Sequence, residues 1–289
     1  MNILLDTITN FATCEECIIG MCDAAPLQPT AAGFTPFVSN DMSKRLDPCA
    51  NLAGAQSIIV MGVPIKTGEF TPPPHNAGIL SQLCVADDYH TLARKLLKNL
   101  AAKLQCHTSF MYKILVDSPN LDERQLAARA GLGHLGRHGL VISPEYGTRF
   151  NIGLLLTSIP IEALGSHTPA TGSCPKNCKN CITSCPSGAL SASSDYDVTR
   201  CISYLTQKKE LTPEEAKLIG RHLYGCDVCQ DVCPKNKKQP TPWVTPEDWL
   251  SMTDDDFAKI YGHTATLWQG TALLKRNAKI VMANMGKSR

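Results

Sequence analysis

Eight of the chain's 14 cysteines fall between Cys174 and Cys233, and no other feature restricts the fold as strongly. The first run reads Cys174-Pro-Lys-Asn-Cys178-Lys-Asn-Cys181-Ile-Thr-Ser-Cys185-Pro186, a C-x3-C-x2-C-x3-C-P spacing. The second reads Cys226-Asp-Val-Cys229-Gln-Asp-Val-Cys233-Pro234, or C-x2-C-x3-C-P, and Cys201 lies between the two. No basic segment precedes an apolar one at the N-terminus, so no secretory signal is expected and the localisation reads as cytoplasmic. In a reducing compartment, cysteines grouped this way argue for metal rather than disulfides.

Bacterial ferredoxins use C-x2-C-x2-C-x3-C-P twice, and the fourth cysteine of each run ligates the other cluster. Short spacings let backbone N–H groups wrap a cluster and point at its sulfurs. The proline after the last cysteine then turns the chain away. Applied here, the crossover assigns Cys174, Cys178, Cys181 and Cys233 to one 4Fe-4S cluster. Cys185, Cys226 and Cys229 go to the second cluster, and Cys201 supplies its remaining thiolate. The first run is one residue longer than the ferredoxin pattern. Two structural zinc sites are the alternative, because zinc also takes four thiolates. Zinc ribbons, however, need neither the paired C-P endings nor the interleaving. The earlier cysteines read differently. Cys14, Cys17 and Cys22 lie among Phe11, Ile18, Ile19 and Met21, as small core residues do. Cys49, Cys84 and Cys106 are isolated.

The chain of 289 residues suggests two domains. A hydrophobic fraction of 43% and a charged fraction of 19% exclude disorder. A net charge of +2 excludes a generally basic nucleic-acid coat. The charge divides as +4 from Cys174 onward and −2 before it, a mild asymmetry that reads first as solvated surface and second as a basic docking face. The longest apolar stretches, 57–65 and 152–164, are too short for a membrane span.

Residues 1–165 alternate strand and helix, which argues for an α/β layer domain. Ser57–Val63 is a buried strand that Pro64 ends. Leu92, Leu96, Leu97, Leu100 and Leu104 share one face of a helix. Tyr112–Val116 reads as a strand with Asp117 at its end, and a helix from Asp122 to Ala130 closes on Gly131. Leu140–Ser143 and Ile152–Ser158 are further strands. Gly165–Ser173, rich in Gly, Ser, Thr and Pro, marks the boundary to residues 166–289. There, Thr212-Pro213-Glu214-Glu215 forms a capping box that starts a helix running to about Leu223, with Gly225 as its stop.

Two clusters make an electron wire, and the preceding domain is where the electrons go. No glycine-rich phosphate loop opens a helix after a strand. Gly131-Leu-Gly133-His-Leu-Gly136 spells G-x-G-x-x-G but follows a helix, so it is read as a false match. The stretch around it carries more. Asp117 ends a strand; Glu123-Arg124 opens a helix; Ala130-Gly131-Leu132-Gly133, Gly136-Arg137-His138 and Gly147-Thr148 follow. This series resembles the epoxyqueuosine reductase family, the cobalamin-dependent iron–sulfur enzymes of tRNA queuosine synthesis. The likeness extends to Lys44-Arg45-Leu46-Asp47-Pro48, Asp88-Tyr89-His90, Cys201-Ile-Ser-Tyr204, Tyr224-Gly-Cys226 and Arg276-Asn277-Ala278.

The resemblance implies a reductive-dehalogenase-like α/β cobalamin domain followed by a ferredoxin-like domain with two 4Fe-4S clusters. It implies an oxidoreductase that draws electrons from an external low-potential donor and opens the epoxide of epoxyqueuosine in tRNA to give queuosine. Asp117 matches the family's catalytic carboxyl, the general acid beside the leaving oxygen. A carboxyl at a strand's C-terminal end is also where α/β folds place sites, and a corrin overhead would hold it protonated. Arg45, Arg137, His138, Gly147 and Thr148 are the implied cobalamin contacts. Family members acting on tRNA usually continue into a C-terminal helical-repeat region, and a short form without it is expected here. His134 and Arg149 stand where aromatic residues are expected. Two alternatives remain open: a reductase of the same architecture acting on a small molecule, and a two-cluster electron carrier without catalysis.

Overall fold

The structure, a computed structural model, describes residues 2–29, 37, 39–66, 68–165, 172–191 and 196–286. Most of the boundary segment expected at 165–173 therefore lies outside the described residues. Among the described residues, no helix is long and apolar enough to cross a membrane. The chain divides into two compact units, one of Met1–Pro64 with His90–Cys178, the other of Ile65–Tyr89 with Lys179–Arg289. The division is thus not the single cut at 165 expected from composition. Segment 65–89 joins the second unit because Gly78–Leu80 is a strand of its sheet. There Ile79 N–H donates to Arg221 O at 2.8 Å and Leu80 N–H to Pro242 O at 2.9 Å. Such long-range pairing leaves no local signal in sequence.

The first unit is built on a four-stranded sheet in the order Ile18–Asp23, Ser57–Pro64, Phe150–Thr157, Tyr112–Val116. Every neighbouring pair is antiparallel. Ser57–Pro64 is apolar without alternation because helices cover both faces, and Ile58, Ile59, Val60 and Met61 are all fully buried. On one face Ile58, Val60, Leu154 and Leu156 pack with Leu126, Ala127 and Ala130 from the helix Glu123–Arg129 and its end. On the other face Gly153 leaves room for Leu97 and Ala93 of the helix Tyr89–Gln105. The two periodicities, two along a strand and 3.6 along a helix, put these residues in register. Asp122 caps Glu123–Arg129 by accepting the N–H of Gln125, and Gly131 turns left-handed at φ 84° after it.

The second unit has a three-stranded sheet in the order His222–Tyr224, Gly78–Leu80, Trp243–Val244. Its core centres on Trp249, which meets Phe257 and Tyr261 edge-on with ring centroids 5.9 and 5.7 Å apart. The helix Thr271–Gly286 packs on the same core through Leu274, Ala278 and Val281. The capping box at Thr212 is present, with Glu215 returning a hydrogen bond to the Thr212 N–H. The helix it starts ends at Leu218, not near Leu223, because Gly220 takes φ 54° and His222–Tyr224 is drawn into the sheet. The acidic run Asp254-Asp255-Asp256 is no loose tail. It forms the first turn of the helix Asp254–Tyr261, where carboxylates favour the positive end of the helix dipole.

Gly225 makes the turn from this sheet into the second cysteine run. It adopts φ 70°, and a Cβ there would strike Ser81 Oγ. Gly225→Ala is expected to cost about 1–3 kcal/mol, the scale of one strained backbone position. It should also displace Cys226. Thermal unfolding together with iron content after reconstitution checks both effects; unchanged values would show that the turn tolerates a side chain.

Candidate active site and cluster ligands

Asp117 leaves the edge strand Tyr112–Val116 in the left-handed region at φ 49°, which non-glycine residues rarely adopt. Its carboxyl is 66% exposed, and Oδ2 lies 3.3 Å from Nε2 of His90 in the first turn of Tyr89–Gln105. The sheet around it is antiparallel, so the switch-point argument made for parallel sheets does not place this residue. What places it is the loop that follows. Pro119 O accepts from the Arg45 guanidinium at 3.1 Å and from Ser39 N–H at 3.0 Å. Asn120 O accepts from Asn51 Nδ2 at 3.1 Å, and the same amide also donates to Lys44 O at 2.8 Å. Glu123 Oε1 accepts the N–H of Ser118 at 2.9 Å. Burial pushes the Glu123 carboxyl up to about 8, and the negative Asp117 and Asp122 push it the same way.

The residues expected to contact cobalamin divide in two. Arg45 is buried, with a hydrogen bond to the Asp117 loop. Arg137 donates to Cys178 O and, at 3.0 Å, to Lys176 O, so it holds the backbone of the first cysteine run. His138 is different. Its ring is buried, and Nδ1 accepts the N–H of Leu140 at 3.2 Å. That fixes the proton on Nε2, which is buried without a hydrogen-bond partner among the described residues. Gly147 turns at φ 58° in a tight loop where Ser143 N–H donates to Gly147 O at 2.7 Å, and Thr148 beside it is buried. The Gly131–Gly136 match opens no helix. It leads into the hairpin His134–Leu135 with Val141–Ile142, and a Cβ on Gly133 would strike Ile142 O.

In the second unit, the short helices Asn180–Thr183 and Val228–Asp231 are tied together by Asn180 Nδ2, which donates to Val232 O at 3.3 Å. Four of the expected ligands converge there. Burial pushes the Cys226 thiol up to about 12 against a backbone N–H from Val228, with Cys201 and Cys185 adding to the rise. Burial raises Cys229 further still, reinforced by Cys226, Cys201, Asp227 and Cys181. Cys181 is among these neighbours although the crossover rule assigns it to the other cluster. Neutral, crowded thiols of this kind are deprotonated outright by a bound metal. Burial also raises Cys185, but the N–H groups of Leu190, Ala189 and Ser187 and the Ser187 hydroxyl outweigh it and lower the thiol overall. Backbone donors thus surround the Cys185 sulfur. Cys17, Cys22 and Cys84 are buried as expected, whereas Cys14, Cys49 and Cys106 are exposed rather than core residues.

His90, Asn51 and Glu123 are functional neighbours that sequence reasoning missed as site residues. His90 and Glu123 stood inside quoted motifs, but nothing local connects them to Asp117.

Comparison with known proteins follows this geometry. A family model described as 4Fe-4S double cluster binding domain matches residues 174–236, and one described as Epoxyqueuosine reductase QueG, DUF1730 matches residues 45–118. An epoxyqueuosine reductase of Staphylococcus aureus is 35% identical over 268 residues, covering 87% of this chain and 70% of the relative. The chain belongs to the epoxyqueuosine reductase family. The family's Escherichia coli enzyme is 42% identical over 222 residues, 72% of this chain and 58% of its own. Epoxyqueuosine reductase from Streptococcus thermophilus superposes with a TM-score of 0.85 at 29% identity, over 99% of this chain and 82% of that one. A crystal structure of an epoxyqueuosine reductase with an epoxyqueuosine-modified tRNA-Tyr stem loop gives 0.86 at 25% identity, over 98% and 82%. A Bacillus subtilis structure, at 0.85 and 26% identity over 98% and 82%, has its catalytic aspartate loop swung out of the active site. The fold is that of these reductases, and the cysteine-rich segment binds two 4Fe-4S clusters rather than zinc.

Two outcomes are expected. Cys201→Ser should cut reconstituted iron from about eight to about four per chain, since a cubane cluster needs four ligands. Iron analysis with the visible spectrum reads this, and unchanged iron would refute the assignment of Cys201. The second concerns pH. An unfolded imidazole protonates near 6.5, whereas burial, helped by His134, holds His138 down at about 4. Between those values the unfolded state binds the extra proton, so stability is complete above about pH 6.5 and falls as pH drops towards about 4. His138→Gln should shrink the difference in Tm between about pH 7 and about pH 5.

Proposed function

We propose that this chain is a cobalamin- and iron–sulfur-dependent oxidoreductase that reduces epoxyqueuosine to queuosine in tRNA. The observation that carries the reading is the left-handed Asp117, its carboxyl exposed beside His90 on a loop held at three points. It is an acid delivered to an open surface in a chain that also binds two clusters. The relatives named above support the same reading, one of them in its complex with an epoxyqueuosine-modified stem loop.

Removing an epoxide oxygen to leave an alkene and water takes two electrons and two protons. Cys174, Cys178, Cys181 and Cys233 would hold one cluster and Cys185, Cys201, Cys226 and Cys229 the other, and the pair would pass electrons singly from an external low-potential donor. Bound cobalamin would supply the strongly reducing centre. The buried Nε2–H of His138, unpartnered among the described residues, fits a carbonyl of a corrin amide. Gly147 and Thr148 are further corrin contacts in this proposal, while Arg45 and Arg137 hold the Asp117 loop and the first cysteine run. Asp117 donates the proton to the leaving oxygen. His90, 3.3 Å from its carboxyl, orients it and passes the next proton in. The loop after Asp117 is proposed to swing as the Bacillus subtilis relative's does.

Asp117→Asn is expected to keep iron and cobalamin at wild-type stoichiometry while turnover of an epoxyqueuosine-containing stem loop falls by about 10²–10⁴, the range for a general acid. Anaerobic single-turnover assays read by mass spectrometry of the nucleoside check this. Turnover within about threefold of wild type would remove the general-acid role. Full cofactor loading with no reaction on the stem loop, even in the wild type, would favour the small-molecule reductase instead.

A further inference from the structure

Glu123 opens the helix Glu123–Arg129, where an acidic side chain ordinarily faces solvent and the helix dipole. Here it bends back five positions instead. Its Oε1 accepts the Ser118 N–H at 2.9 Å, next to Asp117. Asp117, immediately before Ser118, is left-handed at φ 49°. The remaining anchors of the loop lie farther along: Arg45 and Ser39 at Pro119 O, and Asn51 at Asn120 O. Glu123 therefore grips the backbone beside the residue that aims the acid.

We propose that Glu123 is the positioning residue for Asp117: by binding the backbone N–H of Ser118, its carboxyl locks the left-handed turn that presents the catalytic carboxyl, and loosening that grip frees the turn to swing. The inference rests on the reading of Asp117 as the acid. A carboxyl pushed up to about 8 by burial among other acids is a costly one to keep in place, which fits a specific task for its oxygens. The bond that holds the chain beside the left-handed Asp117 comes from a side chain five residues beyond Ser118.

The test compares wild type, Glu123→Ala, Glu123→Gln and Glu123→Asp in cluster-loaded, full-length protein. The first readout is hydrogen exchange of the Ser118 amide without cobalamin or substrate. The second is kcat and KM on the epoxyqueuosine stem loop. Glu123→Ala should raise exchange at this amide by about tenfold or more, as expected when a local restraint is lost. It should lower kcat by about ten- to a hundredfold with KM within about twofold, since a misaimed acid slows chemistry more than binding. Glu123→Gln, whose amide oxygen still accepts, should restore both readouts to within about threefold. Should Glu123→Ala fail to fold, Glu123→Asp, one methylene short, should show the raised exchange and Glu123→Gln should not. Unchanged exchange in Glu123→Ala, a loss confined to KM, or a Gln variant as defective as Ala would each overturn the proposal. If the exchange contrast holds but the wild type does not turn over the stem loop, the grip stands and the assigned reaction fails.

Discussion

The antiparallel pairing of Ser57–Pro64 with Phe150–Thr157 is the constraint on which the first unit depends. The pair is buried on both faces, so each residue must match a helix as well as a strand. Gly153 is where this shows most clearly. Its missing side chain lets Leu97 and Ala93 approach, which seats the helix Tyr89–Gln105 against the sheet. The same residue pairs with Val116 on the edge strand, immediately before Asp117. One glycine thus sets both the strand that delivers the acid and the helix that brings His90 within 3.3 Å of it.

Around that acid, charged and amide side chains serve the backbone. Arg45, Asn51 and Glu123 each hydrogen-bond a main-chain group in the loop after Asp117, and Arg137 does the same for the first cysteine run. Buried polar groups carry a desolvation cost that only good hydrogen bonds offset. Engaging them with backbone gives a loop that is irregular yet held, which a hydrophobic core cannot do for a segment exposed at its tip. His138 is the exception, a buried ring with one nitrogen satisfied and the other left with a proton to donate.

The second unit solves a different problem. It must hold thiols close enough to disfavour one another's ionised form, on and beside helices of four residues with little stability of their own. The rigidity comes from the aromatic core at Trp249 and from a sheet that borrows Gly78–Leu80 from the other side of the sequence. Gly225 joins the two by turning the chain where any side chain would meet Ser81.

The sequence by itself determined the chemistry of the second unit. Cysteine spacing is local, and the two C-P runs alone marked the segment 174–236 as a double-cluster domain. It also determined the strand Tyr112–Val116, the helix after it and the capping box at Thr212, because caps and periodicity act within a few residues. Through a family resemblance it pointed to Asp117. The tertiary structure alone decided strand direction, the transfer of residues 65–89 to the second unit, and the early end of the helix at Leu218. It also turned Arg45 and Arg137 into backbone anchors and brought His90, Asn51 and Glu123 to the acid. Each of these depends on pairings between residues far apart in the chain, which no window of neighbouring residues encodes.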